Sequence, residues 1–233
     1  MRQLKCVVVG AGRSGTGFVS KLISENAQPC GHESIFGPFG YSGNIELQYE
    51  ASWFAAPYLP FLGENTKILH MVRNPNSVTR SFYRLGAFAN TPWPNFTRGR
   101  PFRAAGGAIL NPRYEFTKLC YFSAQRKFLS RHTTCLKESE EIKRIELYWY
   151  EWNKQIEKHA HSLEAGYMRM KIEDAEHRAH EIMNFLELDI AECTLPKERN
   201  LKKDVIRRPP KRLTGLNSAT RDLARRYGYE DEA

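Results

Sequence analysis

The chain has 233 residues, of which 41% are hydrophobic and 26% are charged. These proportions are those of a globular protein with a full hydrophobic core, and they exclude disorder on a large scale. The formal net charge of +9 favours anionic partners or substrates. Since no long Lys/Arg run with interleaved aromatic residues is present, we do not expect a nucleic-acid groove.

The apolar run near the N-terminus, residues 4–9, is too short for a signal-peptide core or a membrane span. The five cysteines are widely scattered and form no Cys-x-x-Cys pair, which disfavours a disulfide scaffold and a zinc site. We therefore expect a cytoplasmic protein without a transmembrane segment.

Predicted strands and helices alternate along the chain, as judged from apolar periodicity, glycines and prolines. Strands are expected at 4–9, 67–72 and 167–172. Helices are expected at 16–26, 77–85, 140–163 and 175–186, and Asn217 or Ser218 is expected to cap a last short helix. This alternation predicts one domain over 1–233 of the α/β class, with a central parallel sheet between two layers of helices.

Two segments fall outside this pattern. Residues 86–114 are interrupted by four prolines and four glycines, and so long an irregular segment is a candidate for acceptor binding. Residues 202–212 form a basic, proline-bearing segment, which we interpret as a solvated basic face.

A glycine-rich turn joins the first strand to the first helix. Gly10-x-Gly12-x-x-Gly15 matches the dinucleotide fingerprint of Rossmann-type NAD(P) or FAD oxidoreductases. That fingerprint also requires a second strand ending in an acidic residue about twenty positions on. Glu33 lies at this distance, but the proline and glycine before it disfavour a central strand. A Walker A loop is disfavoured too, because Thr16 stands where the lysine is required.

The polar groups of the turn favour binding of a phosphate-like anion. The backbone amides of residues 14–18 lie at a predicted helix start, where the helix dipole is positive. Arg13 adds a full charge, and the Ser14 and Thr16 hydroxyls add donors. The predicted anion cradle consists of Arg13, Ser14, Gly15, Thr16, Gly17 and Phe18.

A second motif predicts another phosphate site. Arg73 follows the strand at 67–72, at the sheet edge where ligands of open α/β sheets bind, and Ser81 lies on the next helix. Two anion sites at one sheet edge suit a ligand with phosphate at both ends of a ribose. The two sites are expected to be distinct.

These motifs together resemble the sulfotransferases that use 3′-phosphoadenylyl sulfate (PAPS). The segment 13–18 resembles their 5′-phosphosulfate loop, and Arg73 and Ser81 resemble their 3′-phosphate pair. The similarity is greatest to bacterial-type members, through Gly31-His32-Glu33 and the Ser-Trp-x-Ala-x-Pro stretch at 52–57. Arg13 replaces the lysine usual in cytosolic members, and their late Arg-Lys-Gly loop is absent.

The resemblance implies a P-loop-like fold and transfer of a sulfuryl group from PAPS to a hydroxyl or amine of a small-molecule or glycan acceptor. The other product is 3′,5′-adenosine bisphosphate, and no metal is expected. Arg13 would stabilise the leaving group, and Glu33, or otherwise His32, would be the catalytic base. The alternatives are a Rossmann-type oxidoreductase and a non-catalytic phosphoadenosine-binding module.

Overall fold

The computed structural model describes residues 4–42, 46–90, 112–160, 166–188, 192–196 and 215–229. Its centre is a five-stranded sheet in which every pair of neighbouring strands is parallel. The five strands are β1 (Cys6–Val9), β2 (Cys30–His32), β5 (Tyr49–Ala51), β6 (Lys67–Val72) and β7 (Tyr167–Lys171). A separate antiparallel hairpin pairs β3 (Phe36–Gly37) with β4 (Gly40–Tyr41).

The strand order in the sheet is β2-β5-β1-β6-β7, so that β1 lies in the middle. The registers align Val8 of β1 with Ala51 of β5, and Val9 of β1 with His70 of β6. Because all five strands run in the same direction, their carboxyl ends meet at one edge of the sheet. The glycine turn that follows β1 therefore begins at the centre of that edge.

Helices cover both faces of this sheet. The α-helices are α1 (Thr16–Asn26), α2 (Pro75–Leu85), α3 (Pro112–His132), α4 (Glu141–Ala160), α5 (Ala179–Phe185) and α6 (Ser218–Arg226). Two 3₁₀ segments, Trp53–Phe61 and Cys135–Lys137, accompany them.

Two hydrophobic cores result from this layering. On one face, Val7 and Val9 of β1 pack in a cluster with Trp149 and Trp152 of α4. On the other, the alternate residues of β1 pack with α1 and α5. The expected architecture, a parallel sheet between helical layers, is confirmed.

Several predicted elements match the structure closely. The helix at 16–26 and the strand at 67–72 have the expected bounds. Pro75 is the first residue of α2, where its missing N–H costs no hydrogen bond, and the Asn74 side chain caps the helix. Asn217 caps α6 by accepting from the Thr220 amide.

Other predictions are corrected by the structure. The helix predicted at 175–186 is confined to Ala179–Phe185, because turns occupy the residues before it. The segment 86–114, expected to be irregular, contains the start of α3 at Pro112, while its residues 91–111 lie outside the described part of the chain. The basic segment 202–212 lies outside it too.

The segment before Glu33 was not expected to form a strand, but Cys30–His32 is β2. It lies at an edge of the sheet, where a short strand tolerates a neighbouring proline and a glycine. Gly31 leaves room there for the Glu50 side chain, since a Cβ would lie 1.9 Å from its Oε2 and the carboxylate would have to move. Strand β5 lies between β2 and β1 in the sheet. Glu33, the acidic residue that follows β2, is therefore separated from the glycine turn by one strand.

In the described ranges, no helix combines the length and the apolar composition needed to cross a membrane.

Candidate anion-binding and catalytic site

Two of the glycines in the turn after β1 are in close contact with neighbouring segments, one with β6 and one with the residue that follows β7. A Cβ on Gly10 would lie 2.2 Å from the carbonyl oxygen of Met71, on neighbouring β6. Gly15 has φ +100°, and a Cβ there would lie 2.3 Å from Cδ1 of Ile172. The turn therefore needs glycine at both positions for steric reasons, and at Gly15 for a backbone conformation that other residues rarely adopt.

The middle of the turn is fixed by a tyrosine of α4. The amide of Gly12 donates a hydrogen bond to Oη of Tyr148 at 2.8 Å. A Cβ on Gly12 would lie 2.7 Å from Cζ of Phe82. Tyr148 is fully buried, and this burial raises the pKa of its hydroxyl, so that it stays protonated. Tyr148 is not recognisable from the sequence as a site residue, because its position on α4 resembles that of an ordinary core residue.

Three backbone amides at the start of α1 remain open for a ligand. Two of the five amides expected to form the cradle already have a backbone partner: the Ser14 amide donates to the Ala11 carbonyl, and the Phe18 amide donates to the Gly15 carbonyl. The amides of Gly15, Thr16 and Gly17 have no hydrogen-bond partner among the described residues. They lie at the positive end of the helix dipole, which favours an anion.

Buried hydroxyl groups adjoin these open amides. Ser14 is completely buried, and its Oγ has no hydrogen-bond partner within the part of the chain that the structure describes. Thr16 is 5% exposed. A buried hydroxyl without a partner is energetically costly, which is a reason to expect a ligand atom there.

Arg13, Arg73 and Ser81 form one cluster beside the turn. Nε of Arg13 donates to Oγ of Ser81 at 2.8 Å, and Nη1 of Arg73 donates to the Arg13 carbonyl at 3.2 Å. The two phosphate sites expected to be distinct are thus in direct contact. Arg13 also has φ +72°, a strained conformation for a residue with a Cβ.

The electrostatics of this cluster favour an added anion. Burial and the nearby Arg73 charge lower the pKa of Arg13, while Glu33 partly opposes this shift. Two guanidinium groups brought together in a partly buried site repel each other. A doubly charged ligand would relieve that repulsion.

Glu33 lies just past the end of β2 and is held from two sides. Its backbone has φ +58°, and its amide donates to the Ala51 carbonyl at 3.0 Å. Its Oε2 accepts a hydrogen bond from Oη of Tyr121, on α3, at 2.8 Å. The neighbouring His32 is exposed, and no described residue is hydrogen-bonded to its side chain. Of the two predicted bases, Glu33 is the one that the protein orients.

Glu50 supports the segment that follows Glu33. This carboxylate is fully buried in β5, and its Oε1 accepts hydrogen bonds from the amides of Ser34 at 2.7 Å and Ile35 at 3.0 Å. Burial raises the pKa of Glu50. Neither Glu50 nor Tyr121 is among the site residues predicted from the sequence. A carboxylate between the apolar residues Tyr49 and Ala51 is a sequence signal for a buried, functional acid, whereas no sequence feature distinguishes Tyr121.

Comparison with known protein families and with curated protein sequences finds no match to this chain. The residues of the site place open amides, two guanidinium groups and an oriented carboxylate along one edge of the sheet.

Proposed function

We propose that this chain transfers a sulfuryl group from PAPS to a hydroxyl or amine acceptor. The observation that carries the proposal is the cluster of Arg13, Arg73 and Ser81 beside the open amides of the glycine turn. Positive charge and free donors are concentrated there, at the carboxyl edge of a parallel sheet, where ligands of open α/β folds bind. PAPS carries anionic groups at two positions of one ribose, which suits such an extended cluster.

The residues present fit this donor. The amides of Gly15, Thr16 and Gly17 and the partnerless Oγ of Ser14 suit the 5′-phosphosulfate. Arg73 and Ser81 suit the 3′-phosphate, since a guanidinium binds phosphate through paired N–H donors. Arg13 contacts both of these residues and would hold the two ends of the nucleotide together.

The topology supports this interpretation over the dinucleotide alternative. A Rossmann sheet has its second strand beside its first, so that the acidic residue ending the second strand reaches the ribose. Here β5 lies between β1 and β2. The glycine turn at the centre of the sheet favours a P-loop-like fold.

Glu33 and Arg13 have complementary roles in the proposed reaction. The acceptor oxygen or nitrogen attacks the sulfur in line, and the bond from sulfur to the bridging oxygen of the donor breaks. Glu33 takes the acceptor proton, while the Tyr121 hydroxyl holds its Oε2 and leaves Oε1 for that proton. Arg13 and the open amides stabilise the negative charge that the leaving bisphosphate gains. An oriented carboxylate favours an enzyme over a non-catalytic binding module.

Thermal-shift titration tests the donor assignment. We expect 3′,5′-adenosine bisphosphate to raise the melting temperature, because a ligand that binds only the folded state stabilises it. NADP⁺ and ATP are the comparison ligands. Stabilisation by either of them, with none by the bisphosphate, would overturn the proposal.

A further inference from the structure

The end of α6 and the three residues after it run beside strand β7, and we call residues 226–229 the strap. Three contacts join the strap to alternate residues of β7 and its continuation: Arg169 donates to the Arg226 carbonyl at 3.4 Å, Lys171 donates to the Gly228 carbonyl at 2.9 Å, and Tyr229 donates to the Glu173 carboxylate at 2.9 Å. Gly228 has φ +79°, a conformation that favours glycine. The strap therefore follows β7 to the carboxyl end of that strand.

Two tyrosines hold the strap against the protein. Tyr227 and Tyr229 are both buried. The guanidinium carbon of Arg169 lies 4.5 Å from the Tyr227 ring centroid, and Nζ of Lys171 lies 5.1 Å from the Tyr229 ring centroid. A cation over an aromatic face adds attraction to the contacts of the strap backbone. Ring and backbone contacts together therefore fix the position of the Tyr229 hydroxyl.

The end of the strap lies next to Arg73 of the donor cluster. Val72 of β6 is aligned with Lys171 of β7, and the Ile172 amide donates to the Val72 carbonyl at 2.9 Å. Arg73 and Glu173 therefore follow neighbouring strands at the same edge of the sheet. The carboxylate that Tyr229 binds thus lies beside the arginine proposed to bind the 3′-phosphate.

Glu173 is bound by the strap and not by Arg73. The Arg73 side chain donates to the Arg13 carbonyl, and within the described ranges no ion pair joins it to Glu173. The Arg73 charge nevertheless reaches Tyr229: burial and Glu173 raise the pKa of the tyrosine hydroxyl, and Arg73 opposes this rise. Because the hydroxyl stays protonated, it can always donate to the carboxylate.

We propose that Tyr229 is a positioning residue, which holds the Glu173 carboxylate away from Arg73 and so keeps Arg73 available to the 3′-phosphate of the donor. The inference rests on the proposed function, because it concerns the same donor site. A carboxylate and a phosphate compete for the same guanidinium donors. Without the Tyr229 hydroxyl, the exposed Glu173 side chain turns to Arg73, since charge attraction replaces the lost hydrogen bond.

Calorimetric titration of the full chain with 3′,5′-adenosine bisphosphate tests this role in a double-mutant cycle. Tyr229→Phe should weaken bisphosphate binding about fivefold, which corresponds to about 1 kcal/mol, because the released carboxylate competes for Arg73 as an ion-pair partner. Glu173→Gln should bind the bisphosphate at least as tightly as the unaltered chain. Adding Glu173→Gln to Tyr229→Phe should restore the affinity to within about twofold. Tyr167→Phe is the control, since it removes a hydroxyl of β7 that lies 2.8 Å from Nδ1 of His70, and it should change nothing.

Adenosine 5′-monophosphate, which has no 3′-phosphate, should bind Tyr229→Phe and the unaltered chain equally. Three results would overturn the inference: unchanged bisphosphate affinity in Tyr229→Phe, equal weakening of both nucleotides, or a double variant that binds as weakly as Tyr229→Phe. If the unaltered chain binds no bisphosphate, the proposed donor is wrong, and inorganic sulfate titrated into the same variants tests the strap instead. Sulfate should then show the same order of affinities, and equal affinity or no binding would overturn the inference too.

Discussion

Replacing Arg73 with alanine separates a donor-binding role from a structural one. Arg73 donates a hydrogen bond to the Arg13 carbonyl, and its charge also lowers the pKa of Arg13. The substitution removes a stabilising contact and relieves a repulsion, so we expect the melting temperature of the ligand-free protein to change little. Binding of 3′,5′-adenosine bisphosphate should weaken strongly, because a hydrogen bond to a charged group contributes about 1.5–3 kcal/mol.

The size of the effect follows from linkage. A ligand at 100 times its Kd stabilises the folded state by about 2.7 kcal/mol. For a chain of this length that raises the melting temperature by about 8 °C. A Kd weakened 10- to 100-fold in Arg73→Ala reduces the gain to about 0.4–1.4 kcal/mol, or about 1–4 °C, at the same ligand concentration.

The assay is thermal denaturation with and without ligand, and Arg80→Ala is the matched control. Arg80 lies on α2 close to Ser81 but is exposed, so its loss removes the same charge without touching the cluster. Adenosine 5′-monophosphate, which lacks the 3′-phosphate, should stabilise the Arg73→Ala variant nearly as well as the unaltered protein. The assignment would be refuted if the bisphosphate raised the melting temperature of Arg73→Ala as much as that of the unaltered protein. It would also be refuted if Arg80→Ala lost as much of this shift as Arg73→Ala, or if Arg73→Ala weakened the binding of both nucleotides equally.

Three other outcomes are expected. Glu33→Gln should abolish turnover with little change in bisphosphate affinity, and retained turnover in this variant would exclude Glu33 as the base. Tyr121→Phe should lower kcat and leave the bisphosphate affinity intact, because it removes the hydrogen bond that orients Glu33. Tyr148→Phe should lower the free energy of unfolding by about 1–3 kcal/mol in urea denaturation, because the buried Gly12 amide loses its acceptor, and an unchanged midpoint would contradict this. Burial lowers the pKa of His70 to about 3, so between about pH 6.5 and pH 3 the unfolded chain binds a proton that the folded chain does not. Stability should therefore fall as the pH is lowered, by up to about 1.4 kcal/mol per pH unit, and His70→Gln should flatten this slope in urea denaturation at pH 7 and pH 5.

The buried parts of the fold were predictable because their sequence signals are local. The continuous apolar run of β1 reflects a strand that is buried on both faces. The apolar stripe of α4 reflects a helix that is buried on one face. Asn74 and Asn217 mark helix starts through their own side chains. For the same reason, the sequence alone predicts that the glycine turn and the arginine after β6 lie at one edge of the sheet.

What could not be predicted depends on long-range contacts. Strand β2 has three residues, and its glycine is explained only by the Glu50 carboxylate that occupies the space beside it. Tyr121 acts on a residue 88 positions away, through a helix with no clean apolar stripe. The contact that joins the two expected phosphate sites is also long-range, since Ser81 is 68 positions from Arg13.

The hydrogen bond between Gly12 and Tyr148 spans 136 positions of the chain, which has a consequence for folding. Residues 4–90 contain every side chain assigned to donor binding, yet the middle of the glycine turn is fixed only once α4 docks on the sheet. Closing so long a loop is entropically costly, so contacts of this separation tend to form late. We therefore expect the turn to become ordered only after the second half of the chain has packed, and ligand affinity to appear together with complete folding.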